Sequence, residues 1–362
     1  MRILLIQYQM LGDVLTSTII ADQLKITFPD AHLDYLVIAH ADALVQHHPA
    51  IDGLIKVSKF DFDKMSGVIS LSRKLKHKKY DLLIDAYGKN NTALLSLLSG
   101  AKQRIGYHKW FSSLAYTDVV KNTPDPSIYK TGLALGSRML LTSPLTKDVQ
   151  WHLKPKIYLT DLEKAEGKKW LYQQDIDLEQ PLTMVSVLGS NKNKTLPYAY
   201  MAKVLDRFVA ATASQLLFNY IPSQKKEAQA VFDSCSAQTQ QQIFIHAFAP
   251  SIRDFLTIVS HCTGIIGNEG GAINMGKALD IPAFTIFSPW INKASWNVNE
   301  DDKRHLSVHL KDYRPKLYDN LPPKQLKAQA IKLYQQFIPE LMFGDLDRFI
   351  KENYSSVMIS SK

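Results

Sequence analysis

The stretch that most constrains the fold of this chain runs from Gly264 to Pro289. It contains an apolar run, two adjacent glycines, a helix-forming segment and a second apolar run. This order predicts the strand, turn, helix and strand of a βαβ unit in a parallel sheet. Because Gly270 and Gly271 carry no Cβ, a ligand can approach the turn closely, and the free N–H groups at the helix start attract anions. The stretch therefore predicts a phosphate or diphosphate site, with a plain βα turn as the alternative.

The rest of the chain repeats this alternation of apolar strands with helical segments. We expect strands over residues 2–6, 31–38, 55–57, 80–85, 101–107, 184–188, 215–220 and 243–246. The pattern predicts an α/β fold of two doubly wound halves, in which ligands bind at the carboxyl ends of the strands. We place an N-terminal domain at 1–155, a C-terminal domain at 156–325, and closing helices in 326–362, with packing back on the N-terminal domain as one arrangement.

Composition narrows the class of protein and its partners. Hydrophobic residues make up 46% and charged residues 21%, as in soluble globular proteins, and no window approaches the roughly 18 apolar residues of a spanning helix. Only two cysteines are present, which suits the cytoplasm and excludes a disulfide framework. The net charge of +9 favours an anionic partner. We expect no nucleic acid, because the basic residues are dispersed and no nucleic-acid-binding module is visible.

Two polar segments that follow predicted strands are candidate sites. Gly12 and Asp13 lie in a predicted loop over residues 7–14, where the Asp13 carboxylate could act as a general base or cap the next helix. After the first strand of the second half, Lys194 could neutralise a diphosphate and Ser190 could donate a hydrogen bond to it. The alternative for that segment is a solvated polar loop. Neither segment matches a dinucleotide-binding or P-loop motif, and no histidine spacing predicts a metal site.

Taken together, these segments resemble glycosyltransferase family 9, the lipopolysaccharide heptosyltransferases, over about residues 1–310. The similarity depends on the order and spacing of several short motifs. The chain reads G-D-V at residues 12–14, where the family has G-D-V/I, and Y-D-L-L-I-D at 80–85, where it has Y-D-x-x-I-D. It reads A-K-Q-R-I-G-Y at 101–107, where the family has A-K-x-R-I-G-F/Y, and K-T-L-P at 194–197, where the family has K-x-W-P. From residue 268 it reads N-E-G-G-A-I-N, where the family's N-D-S-G-x-x-H-x-x-A-A-L-x-x-P region begins.

The resemblance implies a GT-B fold, with two Rossmann-like domains facing across a cleft. It implies inverting transfer of heptose from ADP-heptose to the inner core of lipopolysaccharide, without metal or cofactor. The acceptor would bind the N-terminal domain and the nucleotide sugar the C-terminal one. By position, Asp13 would be the catalytic base, with Gly12 beside it on the acceptor side. The donor-binding residues would be Ser190, Lys194, Glu269, Gly270, Gly271 and Asn274.

The resemblance also implies a place in the cell. The enzyme would work in the cytoplasm, peripherally on the inner face of the inner membrane. The basic run from Arg73 to Lys79 would suit contact with an anionic membrane, although such a run is also common on the wet face of a helix.

Departures from the family pattern cluster at the expected donor pocket. Glu269 stands where Asp is usual, Gly270 replaces Ser, Asn274 replaces His and Leu196 replaces Trp. These changes leave the identity of the nucleotide sugar open, as well as the acceptor sugar and its linkage. Two alternatives follow: a related transferase that uses another nucleotide sugar, and a non-catalytic protein that binds nucleotide sugar or glycan.

Overall fold

The computed structural model describes residues 1–110, 112–125, 132–319 and 321–359. The chain divides into two compact units, Met1–Tyr158 and Leu159–Lys362. Each unit contains one sheet whose strand pairings are all parallel in the described part of the chain. None of the helices in that part combines the length and the apolar composition that a bilayer crossing requires.

The first unit contains a six-stranded sheet in the order β3-β2-β1-β4-β5-β6, which is a doubly wound arrangement. Its strands are β1 (Arg2–Ile6), β2 (His32–Ile38), β3 (Gly53–Val57), β4 (Leu82–Asp85), β5 (Gln103–Tyr107) and β6 (Asp118–Val120). The apolar side chains of β1 and β4 are fully buried, because helices cover both faces of a parallel sheet.

The helices of the first unit alternate with its strands. They are α1 (Leu11–Thr27), α2 (Lys59–Phe62), α3 (Met65–Lys78), α4 (Asn90–Leu98), α5 (Ser112–Ala115) and α6 (Leu133–Leu140), with a 3-10 helix at Ala39–Leu44. The expected loop over residues 7–14 is wrong in its second half, because α1 begins at Leu11 and contains Asp13 in its first turn. The N-cap of α1 is Met10, so Asp13 does not cap this helix.

The second unit contains a five-stranded sheet in the order β11-β10-β9-β7-β8. Its strands are β7 (Leu182–Ser186), β8 (Gln215–Phe218), β9 (Gly264–Asn268), β10 (Ala283–Ile286) and β11 (His305–Val308). The strand expected at 243–246 is wrong. Ile243 forms only an isolated parallel bridge to Leu216, because the chain turns back through a hydrogen bond from the Ala247 amide to the Phe244 carbonyl.

Eleven helices surround this sheet in the described ranges. They are α7 (Asp161–Gln173), α8 (Tyr198–Thr212), α9 (Lys225–Ser234), α10 (Ala237–Gln240), α11 (Ile252–Val259), α12 (Gly271–Ala278), α13 (Lys293–Trp296), α14 (Leu310–Tyr313), α15 (Pro323–Ala328), α16 (Ala330–Gln336) and α17 (Phe343–Ile359). Short 3-10 helices lie at Lys192–Lys194, Pro222–Gln224, Pro315–Tyr318 and Pro339–Met342.

The closing helices contribute to the core of the second unit. Phe349 of α17 lies against Phe284 of β10, with ring centroids 5.7 Å apart. The Tyr354 hydroxyl, also from α17, lies 2.9 Å from the Thr183 hydroxyl of β7. Leu346 and Ile350 are buried in the same core. In the segment that we separated as 326–362, the described residues Leu346, Phe349, Ile350 and Tyr354 of α17 therefore pack on the sheet of their own unit.

Candidate functional site

The carboxyl ends of β7, β9 and β10 are adjacent in the second sheet, and a polar loop leaves each of them. β9 lies between the other two strands, so the loops that follow residues 186, 268 and 286 meet at one edge. This is where an α/β sheet presents its ligand-binding groups. The segments predicted from the sequence around Lys194 and Glu269 are thus neighbours in space.

Asn268, the last residue of β9, fastens the loop after β7 to the centre of the sheet. It is fully buried. Its Oδ1 accepts a hydrogen bond from the Leu196 amide at 2.8 Å. Its Nδ2 donates to the carbonyls of Ser186 at 3.1 Å and Val187 at 2.9 Å. All the polar atoms of this side chain are used, so the start and the end of the 187–196 loop are fixed against β9.

Lys194 and Glu269 form an ion pair across this junction. Lys194 Nζ lies 3.1 Å from Glu269 Oε1, and the exposed fractions of the two side chains are 27% and 10%. Because the pair is only partly open to water, the attraction is stronger than in a fully exposed pair. A bound diphosphate would therefore have to share Lys194 with Glu269.

The start of α12 forms the floor of the same edge. Gly270 has φ of +156° and ψ of −166°, a conformation that only glycine adopts readily. A Cβ at Gly270 or Gly271 would meet no atom within 4 Å, so the space above the turn is open. The first amides of α12 have no intrahelical acceptor and carry the positive end of the helix dipole. The turn is therefore suited to a phosphate group.

Two of the residues that we predicted to bind the nucleotide sugar, Ser190 and Asn274, make weaker local contacts. Ser190 is exposed, and its hydroxyl accepts a hydrogen bond from the Asn191 side chain at 3.4 Å. Asn274 is half-buried in α12, and its amide donates to the Gly270 carbonyl at 3.1 Å. Both residues lie on segments that reach the edge, but the ion pair and the α12 turn form its ordered part.

Two side chains after β10, which were not among the predicted site residues, hold the turn that carries Lys194. Ser288 Oγ donates to the Asn193 carbonyl at 2.6 Å, and Trp290 Nε1 donates to the same oxygen at 3.0 Å. The sequence signal that could have identified Ser288 and Trp290 is their position. Polar residues that directly follow an apolar strand tend to lie at the edge of a parallel sheet where ligands bind.

The first unit contains a second polar cluster, centred on Asp13. Arg138 Nη2 of α6 donates to Asp13 Oδ1 at 2.7 Å, and the exposed fractions of the side chains are 12% for Arg138 and 25% for Asp13. Arg138 Nη1 donates to the Ala86 carbonyl at 2.9 Å and to the Tyr107 hydroxyl at 3.3 Å. A cation so buried needs a counter-ion, and Asp13 provides it. Asp13 was among the residues predicted from the sequence, whereas Arg138 was not.

Asp85 shapes the backbone that receives Arg138. This carboxylate at the end of β4 is fully buried and accepts hydrogen bonds from the amides of Tyr87 (3.1 Å) and Gly88 (2.8 Å) and from the Tyr116 hydroxyl (2.7 Å). Burial raises the pKa of Asp85 despite these donors. The turn that presents the Ala86 carbonyl is therefore fixed by a buried acid, which explains the aspartate that ends the 80–85 motif.

Gly12, beside Asp13, has open space where a Cβ would lie.

Comparison with known proteins places the chain in a family. The family model of glycosyltransferase family 9 (heptosyltransferase) matches residues 68–315. The chain is 22% identical over 314 residues to lipopolysaccharide heptosyltransferase 1 of Campylobacter coli, covering 83% of this chain and 88% of that protein.

Solved structures agree on the fold. The structure of a family 9 glycosyltransferase from Veillonella parvula DSM 2008 matches with a TM-score of 0.74 at 17% identity, covering 92% of this chain and 97% of that one. The ADP-heptose lipopolysaccharide heptosyltransferase II of E. coli matches with a TM-score of 0.68 at 15% identity, covering 93% and 99%. The expected GT-B fold is confirmed. Because the family model also covers more than half of the chain, this protein belongs to glycosyltransferase family 9 and is a glycosyltransferase of the heptosyltransferase family.

Proposed function

We propose that the protein transfers heptose from ADP-heptose to the inner core of lipopolysaccharide, with inversion and without a metal. The proposal that the second unit binds a nucleotide sugar rests on one observation. Lys194, Glu269 and the turn at the start of α12 lie together at one edge of the sheet. A cation beside a helix N-terminus suits a diphosphate. The partly buried carboxylate of Glu269 suits sugar hydroxyls. Ser190 and Asn274 lie on the segments that border this edge.

In the transfer step, an acceptor hydroxyl attacks the anomeric carbon of the donor sugar. Asp13 takes the proton as the new C–O bond forms on the face opposite the diphosphate. The bond from the anomeric carbon to the phosphate oxygen breaks, and its electron pair leaves with the nucleoside diphosphate. Lys194 and the amides at the start of α12 stabilise the charge on that leaving group. A general base of this kind contributes about 10²–10⁴-fold to the rate.

The surroundings of Asp13 support its role as the base. Arg138 occupies Oδ1, and within the described ranges Oδ2 accepts no hydrogen bond, so Oδ2 is the atom that would take the proton. By this proposal the first unit, which we placed at 1–155, binds the acceptor. The second, which we placed at 156–325 with its closing helices, binds the nucleotide sugar.

We further propose that the enzyme works in the cytoplasm, at the inner face of the inner membrane. The side chains of Arg73, Lys74 and Lys76 are exposed along α3, and such a cluster attracts anionic lipid and phosphorylated acceptors.

The test is release of ADP from ADP-heptose with a heptose-deficient lipopolysaccharide acceptor. We expect wild type and Asp30→Asn, an exposed carboxylate used as the matched control, to release ADP equally, and EDTA to leave the rate unchanged. Asp13→Asn should lose about 10²–10⁴-fold in rate while it still binds donor.

A wild-type protein that turns over another nucleotide sugar would favour the related-transferase alternative. Binding without turnover of any donor would favour a non-catalytic nucleotide-sugar or glycan-binding protein. Asp13→Asn with undiminished turnover would remove Asp13 as the base.

A further inference from the structure

Trp290 has an ammonium group from two different elements near its ring. Lys194 Nζ lies 5.9 Å from the ring centroid, and Lys327 Nζ lies 5.3 Å from it. The indole is fixed by its hydrogen bond to the Asn193 carbonyl. Both distances are within the range of cation–π attraction. Lys327 therefore lies at the sheet edge that carries the donor groups.

The position of Lys327 is set by packing. Lys327 belongs to α15, whose Leu326 packs against the core of the second unit. The next helix, α16, contacts the Lys192–Lys194 turn. The Tyr200 hydroxyl also donates to the Gln335 carbonyl of α16 at 3.3 Å. These contacts hold α15 beside the loop over residues 187–196, which we call the donor loop because it carries Lys194. Residue 327 lies outside the residues 68–315 that the family model matches.

The charges at this edge do not balance. Lys194 is paired with Glu269. No carboxylate in the part of the chain that the structure describes lies within 4 Å of Lys327 Nζ. Two ammonium groups near one ring, with one paired carboxylate, leave a positive charge at Trp290, which follows β10 on the sheet edge where α12 begins. Such an arrangement favours an anion with at least two charges.

We propose that Lys327 is a second cation for the diphosphate of the nucleotide sugar, acting together with Lys194 across Trp290. This inference rests on the proposed function, because it assigns a residue to the donor site of that function. Glu269 already neutralises Lys194, so Lys327 provides the charge that the second phosphate needs. The ring of Trp290 holds both ammonium groups near the ligand by the attraction of its face for cations.

The experiment is calorimetric titration of the full-length protein with ADP and, separately, with adenosine. We compare wild type with Lys327→Gln and with Lys324→Gln, an exposed lysine of the same helix. A lost charge-assisted hydrogen bond weakens binding by about tenfold. We expect that loss for ADP with Lys327→Gln only, no change for adenosine, and a shallower salt dependence of ADP binding. Lys327→Arg should restore most of the affinity.

Three results would overturn the inference. In the first, Lys327→Gln binds ADP as tightly as wild type does, while wild type still releases ADP from ADP-heptose; the proposed function then survives without Lys327. In the second, Lys327→Gln weakens adenosine as much as ADP, so the effect is on the fold of the site. In the third, wild type binds none of ADP, UDP and GDP, and the donor site itself is then wrong. Binding of UDP or GDP in place of ADP moves the same comparison to that nucleotide.

Discussion

Replacing Asn268 tests whether one buried amide holds the donor loop in place. Its Oδ1 accepts from the Leu196 amide, and its Nδ2 donates to the carbonyls of Ser186 and Val187. Asn268→Asp keeps the size and the acceptor. It puts an oxygen where the NH2 group faces two carbonyl oxygens. Asn268→Ala removes all three hydrogen bonds without adding a charge.

The structure gives the size of the effect. A buried polar group left unpaired costs about 1–3 kcal/mol. Asn268→Asp leaves two carbonyls without a hydrogen-bond donor and buries a charge beside them. We therefore expect the unfolding free energy of the second unit to fall by about 3–5 kcal/mol at pH 7. Asn268→Ala leaves three backbone groups without a hydrogen-bond partner and should lower the unfolding free energy by a similar amount.

The two variants differ in their pH dependence. Carbonyl oxygens around the new carboxyl raise its pKa in the folded state above the unfolded value of about 3.9. The cost of the charge is therefore full above the folded-state pKa and absent below the unfolded one. Asn268→Asp should recover stability as the pH falls, since the protonated acid can donate to one carbonyl. Asn268→Ala should show no such recovery relative to wild type.

Two measurements check this. Urea unfolding at several pH values gives the free energies, and hydrogen exchange of the Leu196 amide reports on the loop directly. We also expect ADP to bind more weakly, because Lys194 lies in the loop that is released. If Asn268→Asp unfolds like wild type at pH 7 and the Leu196 amide stays protected, the hydrogen bonds of Asn268 do not fix this loop.

Three further changes have outcomes that the structure predicts. In Gly189→Ala the new Cβ overlaps the backbone of the loop over residues 187–196, so we expect a loss of about 1–3 kcal/mol in stability and weaker ADP binding by titration. The control is Gly344→Ala, because a Cβ at Gly344 meets no atom within 4 Å and this residue of α17 is not part of the proposed site. The hydrogen bonds from Arg253 hold the pKa of Glu163 down at about 2. Glu163→Gln should therefore lower the free energy of unfolding, measured in urea at pH 7, by about 2–3 kcal/mol. The difference from wild type should shrink as the pH falls from 4.5 toward 2. Burial lowers the pKa of Lys277 to about 8. Because the charged form of this lysine destabilises the folded state, Lys277→Met should raise the melting temperature at pH 7. The gain in melting temperature should fade as the pH rises from 8 to 10.5.

Much of the fold could be predicted from local sequence. The apolar runs of β1, β9 and β10 are buried on both faces of their sheets, and that continuous burial is what the sequence pattern indicates. The run at Ile243 is similar in composition but forms only one bridge to Leu216. A turn directly after it ends the pairing. Composition alone does not distinguish a four-residue strand from a single bridge.

The individual residues of the proposed donor site follow from the sequence, but the contact between Lys194 and Glu269 does not. Lys194 and Glu269 were each found because they follow predicted strands. Their 3.1 Å contact depends on the neighbouring positions of β7 and β9 in the sheet. The order of strands in a sheet is set by long-range packing, so the sequence pattern left it open. Asn268 was visible as the first residue of the motif, but its hydrogen bonds to the other loop were not.

Arg138, the partner of the proposed base, could not be predicted from the sequence. It lies 125 residues from Asp13 in the sequence, and an arginine in a short amphipathic helix usually faces water. Here its guanidinium is buried. The Ala86 carbonyl and the Tyr107 hydroxyl accept two of its hydrogen bonds, but neither neutralises its charge. Asp13 is therefore the counter-ion of Arg138 as well as the proposed base.

This double role decides how a variant of Asp13 must be interpreted. Asp13→Ala would leave a buried cation without a partner, which typically costs about 3–5 kcal/mol, so lost turnover could reflect an unfolded first unit. Asp13→Asn also removes the negative charge, but it keeps an oxygen to accept the hydrogen bond from Arg138 Nη2, so it should cost less stability than Asp13→Ala. A folded Asp13→Asn protein that binds donor and acceptor but does not turn over would show that the reaction is lost for a reason other than unfolding of the first unit. Equal loss in a variant of Arg138 that keeps Asp13 would show instead that the geometry imposed on Oδ2 is what the reaction requires.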